Sequence, residues 1–418
     1  MNTKKVMISK EILDTLDHLS IPDEDKISFF NILINPDVSF MFSVCVKKDN
    51  ILQTFKCYRV LHNSINGPYK GGFRITPDLN YEELLELSIL MTLKNSLLDI
   101  PFGGAKGGIV ADVKRLTESE KENLIREYAK KLSRYTDEYT DIPAPDINTD
   151  EKDMNIFFDE YSKIKGKPVY AIVTGKSPEL RGINFRKLST GYGVAYITDT
   201  VIKDFLKNKN VRIAIQGFGK VGKYTFKKLE ELGYKIVAVS DSEGGIFSEE
   251  GLNFEVVKKI KDNYGSVVEV ANLNKNVKIL NPDDFIFVNC DVFIPAAKEN
   301  VITENNAEKI RAKIIVEGAN SSTTPEGEEI LHKNGKIVVP DILANSGGVF
   351  VSYYEWLKGL GVMEISDQEI DNTMKEKLLK SYDKVKKIAS EKNLTFRQSA
   401  LFVALENLYM RAKLRKVI

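Results

Sequence analysis

The run VRIAIQGFGKVGKYTFKKLEELG, 211–233, narrows most sharply what this chain can fold into. A short β-branched stretch passes into three glycines, Gly217, Gly219 and Gly222, and then into residues that put Val221, Leu229 and Leu232 on one helical face. In a strand, turn and helix of this kind each glycine has a mechanical task. The first permits the tight turn, the second lets backbone amides approach a pyrophosphate, and the third lets the helix pack closely on the strand. The helix start adds orphan N–H groups and the positive end of its dipole. Gly217, Phe218, Gly219, Lys220, Val221 and Gly222 are therefore the expected dinucleotide cradle.

A second strand, KIVAVS, ends at Asp241, 24 residues beyond Gly217. An acidic side chain there can accept from an adenine-ribose 2′-hydroxyl and repel a 2′-phosphate, which favours NAD over NADP. Lys220 and Lys223 work against that preference, and Asp241 ahead of Ser242 and Gly244 also reads as a turn former. Further apolar runs follow: FIFVNC from Phe285, DVFIP from Asp291, KIIVEG from Lys313 and KIVVPD from Lys336. Such runs alternating with helical stretches predict a parallel sheet covered on both faces, and so an α/β class. Asn320, Asp341 and Asn345 each follow a predicted strand, at the carboxyl edge where open sheets bind ligands. Beyond Val349 only helical spacing is found, with Thr395 as N-cap of the last helix.

At 418 residues the chain exceeds one ordinary core. Its 60 basic and 59 acidic residues leave +1, without the basic excess of a nucleic-acid or membrane-surface binder. Cys45, Cys57 and Cys290 are scattered and odd in number, which suggests neither a disulfide framework nor a metal site. The opening MNTKKVMISKEILDTLDHL reads as an amphipathic helix, not an export signal, so the cytoplasm is expected.

The stretch LNYEELLELSILMTLKNSLLDI is a predicted helix whose apolar stripe runs Leu84, Leu87, Met91, Lys94, Leu98. A lysine on such a stripe snorkels, pairs with a carboxylate, or points into a cavity. Lys70 in GPYKGGFR and Lys106 in PFGGAKGG are flanked by glycines that leave no neighbouring side chain to shield them and let an anionic ligand approach the backbone; a flexible surface loop with a solvated lysine is the alternative for each. Asp146 in DIPAPDINTD is stiffened by Pro143 and Pro145, with Asp141 and Asp150 as less constrained neighbours.

With GPYKGGFR, LKNSL, PFGGAKGG, PAPD, TGYGV, QGFGKVG, VEGAN and NSGGV in that order, the chain resembles the glutamate, leucine, phenylalanine and valine dehydrogenase family from about Tyr58 to its end. The resemblance implies an N-terminal α/β substrate-binding and oligomerisation domain, 1–184, then a Rossmann-type domain, 185–348, with the helices of 349–418 returning to the first. It implies a homohexamer and reversible, NAD- or NADP-dependent oxidative deamination of L-glutamate to 2-oxoglutarate and ammonium. Lys106 then corresponds to the catalytic lysine and Asp146 to the catalytic carboxylate. Lys94 corresponds to the α-carboxylate ligand, Lys70 and Ser352 to the pair that holds a γ-carboxylate, and Thr190 and Asn345 to the nicotinamide end. Two substrate cations beside Lys106 would lower its pKa.

The chain departs from the family pattern at RGINFR, where Ile183 and Phe185 replace small residues, and at Met91, where some members carry glutamine. A leucine, valine or phenylalanine substrate is disfavoured by Lys70 with Ser352, since an unpaired lysine facing an apolar side chain is costly. A catalytically silent relative is disfavoured by intact Lys106 and Asp146.

Overall fold

The computed structural model describes residues 3–48, 51–206 and 210–418. In chain order the first part holds α1 (Thr3–Leu16), α2 (Asp23–Ile34), β1 (Val38–Lys48), β2 (Ile51–Asn63), β3 (Tyr69–Thr76), α3 (Tyr81–Leu97), β4 (Gly103–Val110), α4 (Glu118–Leu132), β5 (Asp141–Pro145) and α5 (Glu151–Lys165). Next come α6 (Arg186–Phe205), β6 (Arg212–Gln216), α7 (Lys220–Glu231), β7 (Lys235–Ser240), β8 (Gly245–Phe247), α8 (Phe254–Tyr264), α9 (Glu269–Leu273), β9 (Lys278–Leu280), β10 (Val292–Pro295), β11 (Ile314–Val316), α10 (Pro325–Lys333), β12 (Ile337–Val339) and α11 (Asp341–Ala344). The chain closes with α12 (Gly347–Gly359), α13 (Asp367–Lys392) and α14 (Phe396–Leu414). It divides into two compact units, Met1–Asn184 with Val349–Ile370 and Leu401–Ile418, and Phe185–Gly348 with Asp371–Ala400.

The first unit is built on a mixed five-stranded sheet, β1-β2-β4-β3-β5. β3 is parallel to both β4 and β5, whereas β2 is antiparallel to β4. One face of its central strands carries Phe73, Ile75 and Ile109 into a core shared with Leu124, Tyr128 and Phe157 of α4 and α5. Helix α3 covers the other face. A Cβ at Gly104 would lie 2.2 Å from Thr92 Oγ1 and 2.3 Å from the Ser88 carbonyl, so the helix rests directly on the strand there.

Here the structure corrects the sequence reading. The glycine-rich stretches around Lys70 and Lys106 are strands β3 and β4, not loops. Their glycines make room for protein: a Cβ at Gly71 would lie 1.5 Å from the Ala105 carbonyl oxygen, and one at Gly107 2.6 Å from the Tyr128 hydroxyl. Glycine inside a central strand marks this kind of close approach.

The second unit holds the seven-stranded sheet β12-β11-β10-β6-β7-β8-β9. Pairing is parallel from β12 to β7, and the β8 and β9 edge is antiparallel. The expected strand at FIFVNC is absent. Pro282–Phe287 forms a 3-10 turn, started by Asn281, whose side chain accepts from the Asp283 N–H 3.3 Å away, with Pro282 at its first position. Phe285 and Ile286 bury their side chains in the core from that turn, so the apolar run reports burial without strand pairing.

The last helices are shared between the units. The segment 371–400 groups with the second unit, in contrast to the expectation that all of 349–418 returns to the first. Polar contacts hold it there: the Tyr196 hydroxyl donates to Asp371, while the Tyr382 hydroxyl and Lys386 ammonium donate to Asp204. Thr395 caps α14, with Gln398 N–H donating to its hydroxyl at 3.2 Å.

Candidate active site

Strand register explains how the lysines of the first unit come together. Lys70 pairs with Gly104, and Lys106 lies two residues further along β4, so alternation places both on the face covered by α3. Lys94 stands on α3 itself. The same alternation adds Arg74, four residues after Lys70 on β3, and Asp146, next after β5. The three lysines are only 2–7% exposed, so none is the solvated surface lysine that glycine flanks would allow. Ser352, on α12, is also buried.

The centre of this face is a carboxylate between cations. Asp146 Oδ2 lies 2.8 Å from Lys106 Nζ and 2.8 Å from Arg74 Nε. Arg74 also bonds Glu83 at the start of α3. Asp146 cannot drift, because a Cβ at Gly72 would come within 2.8 Å of its own Cβ and its backbone N–H donates to Thr149 Oγ1 at 2.7 Å. Burial alone would raise the Asp146 carboxyl, but the charges and hydrogen bonds of Lys106 and Arg74 bring it down to about 2. Burial lowers the Lys106 ammonium, as do the Arg74 and Arg59 charges, against the pull of Asp146. The expected direction of the Lys106 shift is thus present, with burial and two arginines as its causes.

Arg74, Arg59 and Glu83 escaped the sequence reading. A period-two reading of KGGFR would have put Lys70, Gly72 and Arg74 on one face. The neighbouring aspartates have other work. Asp141 forms a fully buried pair with Arg59 on the opposite face, 2.5 Å apart, and Asp150 caps α5.

In the second unit the three motif glycines differ as their tasks require. Gly217 takes a φ of +102°, which an L side chain rarely adopts. A Cβ at Gly222 would lie 1.9 Å from the Gly217 carbonyl oxygen, whereas at Gly219 nothing stands within 4 Å. Gly219 is also the N-cap of α7. Open space above a helix N-terminus, at the one glycine meant to face a pyrophosphate, fits a dinucleotide. Phe218 is buried against Phe226 and Phe254, which anchors the turn from behind; Lys220 and Val221 open the helix.

At the carboxyl edge Asn345 Nδ2 donates to Asn320 Oδ1 at 2.9 Å and to the Gly318 carbonyl at 3.3 Å. Thr190 lies on α6, where a Cβ at Gly348 would approach its Oγ1 to 2.6 Å; the NSGG glycines let that helix come close.

Asp241 follows its strand as expected, but its carboxylate is already engaged. Its Oδ1 accepts from Glu243 N–H at 2.9 Å and Ser266 Oγ at 3.2 Å, and its Oδ2 from Lys261 Nζ at 2.7 Å and Val267 N–H at 2.7 Å. A ribose hydroxyl would have to displace one of these four donors. The turn-forming alternative describes what this carboxylate does here.

Among the described residues no group of three or more His, Cys, Asp or Glu side chains could hold a metal ion, and no helix is long and apolar enough to cross a membrane.

Fold and sites together define a class, the nicotinamide-dependent dehydrogenases, in which a Rossmann-type unit serves a separate substrate unit. Within it the chain belongs to the Glutamate/Leucine/Phenylalanine/Valine dehydrogenase family, whose profile matches residues 182–415, with the Glu/Leu/Phe/Val dehydrogenase dimerisation domain over 36–163. It is 42% identical to the NADP-specific glutamate dehydrogenase of Saccharolobus shibatae over 372 residues, 89% of this chain and 84% of that one. It is 36% identical to the NAD-specific glutamate dehydrogenase of Peptoniphilus asaccharolyticus over 394 residues, 92% and 93% of the two chains. Its structure superposes on the hetero-hexameric glutamate dehydrogenase of Thermus thermophilus, in a leucine-bound form, with a TM-score of 0.90 at 30% identity, covering 99% and 97% of the two chains.

Proposed function

We propose that this chain catalyses the reversible oxidative deamination of L-glutamate to 2-oxoglutarate and ammonium, with Lys106 and Asp146 at the chemistry. The observation that carries this is the buried Lys106 to Asp146 contact of 2.8 Å, on a strand face shared with Lys70 and covered by the helix that carries the buried Lys94. In this reading Lys94 binds the α-carboxylate, and Lys70 with Ser352 binds the γ-carboxylate. Two substrate anions then meet two buried cations, which removes part of the penalty of keeping those lysines from water.

The chemistry that NAD or NADP would supply when bound is hydride transfer from the substrate Cα in deamination and back to it in the reverse direction. Lys106 does the proton work around that step. Burial and the neighbouring arginine charges lower its basicity and so favour the neutral amine, whose Nζ can take a proton from the water that adds to the imine carbon. Asp146 stays ionised and steadies the ammonium so formed, and Lys106 then returns that proton to the departing nitrogen.

The cradle of Gly217, Phe218, Gly219, Lys220, Val221 and Gly222 holds the pyrophosphate, and Thr190, Asn320 and Asn345 hold the nicotinamide end. With Asp241 already engaged, its side chain gives no ground for preferring NAD, and the two relatives divide between the cofactors. The dimerisation-domain match supports an oligomer, and we take it to be a homohexamer acting in the cytoplasm.

Following absorbance at 340 nm with 2-oxoglutarate, ammonium and NADH or NADPH in parallel tests the reading. Turnover is expected with at least one cofactor, and silence with both sinks it. Lys70→Leu should lower kcat/KM for 2-oxoglutarate about a hundredfold, the scale of a charged hydrogen bond of roughly 2–3 kcal/mol. An unchanged kcat/KM would remove Lys70 from the γ-carboxylate.

A further inference from the structure

Two fully buried ion pairs of the first unit, Arg59 with Asp141 and Lys176 with Glu355, match one cation with one carboxylate. Arg397 in the second unit is different. Its guanidinium meets three carboxylates: Glu317 at 2.8 Å through Nη2, Glu328 through Nε, and Asp341 at 3.6 Å through Nη1. All three are buried, Glu317 completely.

Two of these carboxylates reach onward to the backbone that presents the edge asparagines. Glu317 Oε1 accepts from Thr323 N–H at 2.8 Å, and Oε2 from Asp341 N–H at 3.0 Å. Asp341 Oδ2 accepts from Ser321 N–H at 3.1 Å. Ser321 holds a φ of +46°, a left-handed conformation that a non-glycine residue keeps only when its surroundings impose it. Its neighbour is Asn320, which accepts from Asn345, and Asn345 follows the short helix that Asp341 begins.

We propose that Arg397 is a positioning residue for the cofactor site, gathering Glu317 and Asp341 so that the loop 318–323 and the turn after β12 present Asn320 and Asn345 in register. This rests on the reading that those asparagines meet the nicotinamide end. Without the guanidinium, Glu317 and Asp341 would be left as like charges out of water, and the cheapest relief is for the two segments to part. Glu317 already stands in such a field. Burial raises its carboxyl, Arg397 pulls it down, and Asp341 and Glu328 push it up again. Glu328 contributes through Arg397 alone among the contacts described here, so it orients the guanidinium without touching the loop.

The experiment measures NADH and NADPH affinity by fluorescence titration, and steady-state constants for cofactor and 2-oxoglutarate, in the full-length protein. Arg397→Met should weaken cofactor binding and raise cofactor KM by about tenfold to a hundredfold, the scale of a displacement of ~1 Å in a site, while kcat at saturating cofactor and the 2-oxoglutarate KM change less than about threefold. Arg397→Lys should recover part of the affinity, and Glu328→Gln should show the same selective defect in smaller degree. If Arg397→Met does not fold, these two milder variants decide the matter. A kcat loss with unchanged cofactor KM, or equal loss in every constant, overturns the proposal. Asn345→Ala separates the two readings: normal cofactor affinity in that variant removes the asparagines from the cofactor site, whereas a defect there with none in the Arg397 variants overturns the positioning role alone.

Discussion

The two units carry opposite charge designs. In the first, one carboxylate, Asp146, sits between Lys106 and Arg74, and Glu83 closes the far side of Arg74. In the second, one guanidinium, Arg397, sits among Glu317, Glu328 and Asp341. Counted as ionised, the first cluster is neutral and the second carries −2, from one positive and three negative groups. Placement follows that difference. The balanced cluster leaves a lysine of lowered basicity beside a carboxylate held ionised, so the lysine is the group that takes up and releases a proton while the carboxylate steadies its charged form. The unbalanced cluster pushes a carboxyl up and ties its oxygens to backbone N–H groups, which holds loops rather than protons. In the functional reading proposed above, buried charge serves chemistry in one unit and geometry in the other.

Removing a member of the chemical cluster should therefore act on turnover and spare the nucleotide. Lys106→Ala is expected to lower kcat about a thousandfold or more, as loss of a general acid or base does, with NADH and NADPH titrations unchanged. Comparable loss of cofactor affinity would erase the contrast between the units.

A subtler variant sharpens the contrast inside the first cluster. The Arg74 charge helps to hold down both the Lys106 ammonium and the Asp146 carboxyl, so Arg74→Met should let both rise. With the neutral lysine as the active form in the proposed mechanism, the acid limb of the kcat/KM profile should move to higher pH, with a fall of about tenfold at neutral pH, well short of the Lys106→Ala effect. A fall of rate at every pH with an unmoved limb would make Arg74 a mere support.

How much of this was legible in the sequence depends on the distance over which each signal acts. The strand, glycine turn and helix at 211–233 is local, and KIVAVS and the last three helices were equally readable from periodicity. Lys94 stood out because one helix stripe is a local pattern too. Arg74 lies 72 residues from Asp146 and Arg397 lies 80 from Glu317, and no pattern within one element links them. The glycines around Lys70 and Lys106 misled because absence of a side chain reads as open loop, whereas here it records close neighbours, the Ala105 backbone and the hydroxyls of Thr92 and Tyr128 filling the space. Asp241 had the right position after its strand, but donors supplied by Lys261, Ser266 and Val267 lie beyond what that position can reveal.

The smallest expected effect tests the second cluster by its charge. Glu317 has its carboxyl raised above the ordinary 4.5, so the group favours the folded state below that value, and its contribution is lost as pH rises through the raised value. Asp146, lowered from 3.8 to about 2, runs the other way: its contribution is present above 3.8 and lost as pH falls through about 2. Glu317→Gln keeps the shape of the protonated side chain and both of its oxygen-facing directions short of one acceptor. Its thermal midpoint should then come nearest to that of the unmodified protein at the acid end of the range and fall less steeply as pH is raised, with a difference of about 1 kcal/mol or less at pH 7. The same measurement on Asp146→Asn should show no such flattening above pH 5, because that carboxylate is already ionised across the range. Parallel pH curves for Glu317→Gln and the unmodified protein would mean that Arg397 balances its three carboxylates after all, and the contrast between the clusters would reduce to geometry alone.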